Sequence, residues 1–140
     1  MIKYVLVIKS NHWPRRLNKL RKIIKNVIDR KNYLSFNKKT NYYCNFVLSN
    51  DLFIKKFNRR YKKNNNSTDV LTFVSKIQKN NILEKHCDII ISAETLSKNA
   101  KKNKINFYDH FLHIVVHSLL HIKGYRHNNK NNFLIMKKKE

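Results

Sequence analysis

The first apolar run of the chain, IKYVLVIK at residues 2–9, is β-branched and aromatic and predicts a strand. After Pro14 the spacing changes: Leu17, Leu20, Ile23, Ile24, Val27 and Ile28 recur at helical intervals, so a helix is expected from Pro14, which suits a first turn, to about Asp29. NYYCNFVLS, residues 41–49, returns to strand composition, and Ser49, Asn50 and Asp51 then offer cap oxygens for an amphipathic helix ending near Tyr61. KKNNNS, residues 62–67, predicts a loop and DVLTFVS, residues 69–75, a third strand. The polar residues 76–86 read as a connection to a fourth strand, CDIIIS, whose continuous apolar content predicts burial on both faces. AETLSKNAKKN predicts a polar helix, Phe107 to Lys123 a strongly apolar one, and a short helix is expected around Phe133 to Met136. An order rich in βαββ and then helical, rather than strict βαβ alternation, with no internal repeat predicts an α+β fold: a single domain over residues 1–140, with a small mixed β-sheet packed against several helices.

The apolar helix carries the chemistry. At 100° per residue, His113, His117 and His121 fall within an arc of about 80°, with His110 on the same stripe. Phe111, Leu112, Val115, Val116, Leu119, Leu120 and Ile122 cover the other side, which predicts a central buried histidine-bearing helix. Buried imidazoles need partners, and only Asp109 within the segment is acidic. A metal ion satisfies several rings at once. HxxxH sets two side chains about 6 Å apart along the axis, close enough to converge on one ion, whereas i and i+8 are about 12 Å apart and Zn–N bonds are about 2 Å.

A third ligand must therefore come from a chain that turns back. Gly124, the only glycine, suits a helix end in a left-handed conformation, and His127 follows three residues later. HxxxHxxGxxH, residues 117–127, thus points to His117, His121 and His127 as metal ligands, one zinc ion being the expected occupant by ligand type. A structural cluster of hydrogen-bonded imidazoles is the competing reading of HxxxH alone. Three protein ligands leave a fourth position open, as in catalytic zinc sites. Metzincin proteases share the spacing but carry Glu directly after the first histidine as general base; here Ser118 stands there, which argues against peptide hydrolysis. His113 is expected to be a core residue or one that hydrogen-bonds a ligand ring, and the pattern assigns no role to His110.

Charge adds a partner class. Lys and Arg number 31 against 8 Asp and Glu, a formal net charge of +23, which favours a polyanion such as nucleic acid. The abundance of Lys, Asn and Ile also fits drift in an A/T-rich genome, but the field acts whatever its origin. Cys44 and Cys87 show no CxxC spacing and read as reduced, buried thiols of a cytosolic protein. The apolar run near residue 4 is too short for a signal segment, and no stretch has the length of a membrane span.

Three stretches carry a family resemblance. HSLLHIKGYRH is similar to the signature HGxLHLxGYDH of the YbeY-type bacterial rRNA-maturation endoribonucleases, NRRYKKNNNSTDVLTFV (residues 58–74) resembles that family's NxxYRGKDxPTDVLSFP, and CDIIIS resembles its GDIVIS. The resemblance implies a zinc-dependent, single-strand-directed endoribonuclease of small-subunit rRNA maturation and ribosome quality control. It further implies a cytoplasmic location, rRNA and the ribosomal small subunit as partners, ribosomal-protein or GTPase contacts, and no membrane. His117, His121 and His127 correspond to the family's zinc ligands, and its functional arginine falls on Lys62, the candidate catalytic residue. Lysine keeps the charge that stabilises a phosphorane but loses the bidentate fork. Arg59, Arg60, Lys62 and Arg126 are the candidate RNA-binding residues.

Departures from the family pattern are Arg126 for an acid, Ser67 for proline, Ser118 and Cys87 for glycines, and a basic C-terminal segment. Ser67, Thr68 and Asp69 are expected to shape the start of the adjoining strand, and Asp88 to make a strand-end hydrogen bond or orient a ligand ring. The alternatives to the nuclease are a noncatalytic ribosome-binding or assembly factor with a structural or lost metal, and a metalloprotease.

Overall fold

The computed structural model describes residues 1–30, 39–61 and 68–124. The order is β1 (Ile2–Ile8), a 3-10 turn (Pro14–Arg16), α1 (Leu17–Asp29), β2 (Thr40–Ser49), α2 (Asp51–Tyr61), β3 (Val70–Lys79), β4 (Ile82–Ser92), α3 (Ala93–Lys102) and α4 (Phe107–Lys123). The expected loop at 62–67 and helix at 133–136 lie outside the described residues. Proline opens the 3-10 turn rather than the α-helix itself, a short N-terminal prelude that its fixed φ allows.

The four strands form one mixed sheet in the order β1-β2-β4-β3. β1, β2 and β4 run parallel, and β3 is the antiparallel edge. On one face Phe46, Leu48, Ile89 and Ile91 pack with Leu20 and Ile24 of α1, Leu96 of α3, and Phe111, Val115, Leu119 and Leu120 of α4. On the other, Ile90 and Leu71 meet Ile54 of α2, with Phe53, Phe57 and Phe73 around them. Alternate residues of CDIIIS thus enter both cores, as its continuous apolarity predicts. Trp13, with no exposed surface, donates its indole N–H to the Ser49 carbonyl at 2.8 Å and ties the turn before α1 to the end of β2.

The polar residues 76–86 differ from expectation. They are not a connection but most of a β3–β4 hairpin, with Lys79 opposite Ile82 across a turn in which Asn80 takes φ 53°. The reason is the position of β3: an edge strand accepts lysine and glutamine on its solvated side, so composition hides a strand that tertiary pairing makes. Asparagine is among the few residues that adopt positive φ at low cost.

Candidate metal centre

The ends of α3 and α4 are set by their caps. Ser92 caps α3, and its hydroxyl donates to Asp51, which also accepts from Thr95 and so joins the starts of α2 and α3. Asn106 caps α4 by accepting from the Tyr108 N–H at 2.8 Å. At the other end Gly124 takes φ 127° and ψ −4°, with its N–H directed to the carbonyls of Leu120 and His121 at 3.2 and 3.0 Å. The lone glycine therefore ends the helix in a positive-φ conformation, as its place in the sequence predicts.

Along the stripe, the four histidines have different environments. His117 and His121 are half-buried, with ring centroids 4.5 Å apart and Nε2 atoms 2.9 Å apart. Two nitrogens on one ion at tetrahedral geometry stand about 3.3 Å apart, given Zn–N distances of about 2.0–2.1 Å. This pair is within a few tenths of an ångström of that bite. A pair so close also requires that at least one ring be neutral, its lone pair turned toward the other nitrogen. The donor set therefore fits a divalent ion. Among the described residues no group of three His, Cys, Asp or Glu converges on one point. His127, the third expected ligand, lies outside the described residues, as do Lys62, Ser67 and Arg126.

His110 is buried, its Nε2 3.3 Å from Oδ2 of Asp69, which also accepts from Asn99 of α3 at 3.1 Å. Asp69 thus does more than begin a strand: its backbone carbonyl accepts from the Ser92 N–H at 2.9 Å while its carboxylate meets α3 and α4. His113 corrects the sequence reading: it is exposed rather than in the core, with its ring lying near that of His110 at 6.3 Å. Ser118 has no exposed surface, and its hydroxyl is buried in the core without a hydrogen-bond partner among the described residues. A serine so placed supplies no general base, which is a structural objection to the protease alternative.

Of its two expected parts Asp88 takes the hydrogen bond from a strand, though within β4 and not at its end. It accepts from Asn45 at 3.0 Å across the exposed sheet surface, on the α2 side, so the sheet separates it from α4. Arg59 and Arg60 occupy the exposed last turn of α2, on that same side. Residues 62–67, which include Lys62, connect α2 in the chain to Thr68 and Asp69 and so to the histidine helix. Cys44 and Cys87 are free and buried, directly opposite each other on β2 and β4. The Cys44 thiol is pushed up from its ordinary range by its hydrogen bond to Cys87 and by burial.

One residue escaped sequence reading. Lys85 is buried, and its Nζ donates to the carbonyls of Ile122 at 2.8 Å and Lys123 at 3.4 Å, fastening the last turn of α4 to β4. Those carbonyls lack intrahelical partners and carry the negative end of the helix dipole, so a lysine there offsets much of its own desolvation. The signal was present: Leu83, Lys85, Cys87, Ile89 and Ile91 alternate onto one face, which places a lysine in register with core positions.

Comparison with known proteins agrees with this architecture. A family model described as "Endoribonuclease YbeY" matches residues 7–140. Curated relatives bearing that name include one from Amoebophilus asiaticus, 32% identical over 84% of this chain and 74% of its own length. Others are from Neorickettsia sennetsu, 34% identical over 67% of this chain and 65% of the relative, and Buchnera aphidicola, 36% identical over 59% and 54%. The matched segment thus spans about half to two thirds of the length of several curated relatives. The solution structure of TM1509 from Thermotoga maritima shares the fold, with a TM-score of 0.58 and 23% identity over 99% of this chain and 86% of that one. A mixed four-stranded sheet, a histidine-bearing helix closed by one glycine, and a family match over nearly the whole sequence place this chain in the Endoribonuclease YbeY family.

Proposed function

We propose that the protein is a metal-dependent, single-strand-directed endoribonuclease that acts on rRNA in the cytoplasm, in small-subunit maturation and ribosome quality control. The observation that carries this reading is the His117–His121 pair, with Nε2 atoms 2.9 Å apart on a helix whose opposite face, with Val115, Ser118, Leu119 and Ile122, is buried. His117 and His121 would hold one zinc ion, with His127 as the third ligand once the chain has reversed at Gly124. When bound, such an ion supplies a Lewis acid for phosphoryl chemistry.

The chain's own residues hold the substrate. Lys62, with Arg59 or Arg60, neutralises charge that develops on the phosphate; Arg126 adds positive charge next to His127. The net charge of +23 draws in the RNA backbone; rRNA of the small subunit is the proposed substrate, with ribosomal proteins or a GTPase as further contacts. His110, held by Asp69, keeps the early part of α4 in place relative to the chain that leads from Lys62.

The test uses metal-loaded protein, chelator-treated protein and the His121→Ala variant on one short structured RNA. Cleavage by the first alone is the expected result. Equal cleavage in all three overturns the mechanism, and ribosome association without cleavage in any of them favours the noncatalytic assembly factor.

A further inference from the structure

A basic concavity lies away from the histidine pair. Between the 3-10 turn, α3 and the first residue of α4 is a cavity of about 420 Å³, lined by His12, Arg16, Glu94, Lys98, Lys101 and Phe107, among others. Its cations come from two walls: Arg16 from the turn before α1, and Lys98 and Lys101, one helical turn apart, from α3. The Arg16 guanidinium lies 4.0 Å from the Phe107 ring centroid and 5.4 Å from that of Tyr108, and Lys19 Nζ lies 4.0 Å from Tyr108. Glu94 is the acid among the lining residues. Its Oε1 already accepts from the Asp51 N–H at 3.0 Å and stands 3.8 Å from His12 Nε2.

Like charges converging from two elements repel one another, and an anion between them relieves that repulsion. A guanidinium laid against an aromatic ring on one face keeps its in-plane N–H groups for phosphate oxygens and its second face for a base. A concave site with an arginine-capped aromatic floor suits a strand of nucleic acid better than a lipid surface, which engages a convex apolar helix face. Phe107 stands ten residues before His117 on α4, a separation of about 15 Å along the axis.

We propose that this groove binds the phosphodiester backbone of single-stranded RNA, as a footing remote from the histidine pair that holds the flank of a substrate extending beyond it. The inference rests on the proposed function for the identity of its ligand, but its test does not require cleavage.

The experiment compares Lys98→Glu/Lys101→Glu with Arg21→Glu/Lys22→Glu, all four residues exposed and the two changes equal in charge. Affinity for a labelled, unstructured RNA is measured in chelator over a range of salt, with thermal melts to show that both variants fold. The groove variant is expected to bind about tenfold or more weakly, with a salt slope lower by about two, while the control changes by less than about threefold. Where cleavage is active, the groove variant raises KM for long RNA, leaves kcat unchanged, and is neutral on a fragment too short to span both sites. Equal weakening in both variants, or none in either, overturns the proposal. So does loss of binding to anionic phospholipid vesicles with RNA affinity intact. Absence of cleavage in the wild type, with the difference in salt slope retained, counts against the nuclease reading alone.

Discussion

Gly124 has open space where a Cβ would stand, so the cost of a side chain there is torsional and not steric. At φ 127° an L-residue is strained by about 1–3 kcal/mol, and the helix end must shift to relieve it. Gly124→Ala is therefore expected to weaken zinc binding, read by competition with a chromophoric chelator, while the melting temperature of the metal-free protein falls by only a few degrees. Unchanged metal affinity would separate the glycine from the ligand set. At this scale the sequence was informative about His117, His121 and Gly124, because helical spacing and φ preference are local properties. It was silent about His110, whose partner Asp69 is far away in the chain and meets it only through the packing of β3 against α4.

The position of α4 is determined by contacts with α1, α3, β3 and β4, and its C-terminal turn by Lys85. Lys85→Met keeps the length and removes the donors, leaving the Ile122 and Lys123 carbonyls to find others. A loss of about 1–3 kcal/mol is expected, measured by urea denaturation of the metal-free protein. Faster amide exchange in the last turn of α4 would accompany it. No change in either would mean that water replaces the ammonium at no cost. Element boundaries were legible where periodicity is strong: Phe107–Lys123 is the range that apolar spacing predicts. They were not legible for residues 76–86, because the β3–β4 pairing and not composition makes those residues strands.

A charge of +23 on a domain this small weighs more on the compact state than on the extended chain. Raising NaCl from about 0.05 to about 0.5 M shortens the screening length about threefold, and the melting temperature is expected to rise by several degrees. A fall would show that surface ion pairs outweigh repulsion. The fold class was legible because strand and helix patterns follow one another plainly along the chain, whereas the sheet order and the groove between α3 and α4 depend on how the elements pack. The strand order has a consequence for biosynthesis. All four strands and α3 precede α4 in the chain, so a growing polypeptide lays down the sheet before the helix that bears His117 and His121 is made. Phe46, Leu48, Ile89 and Ile91 are met by Leu20 and Ile24 of α1 and Leu96 of α3 first, and their cover is completed when that helix docks. An ion held by those two histidines would thus be a late guest of a nearly finished scaffold, not the nucleus around which the chain first condenses.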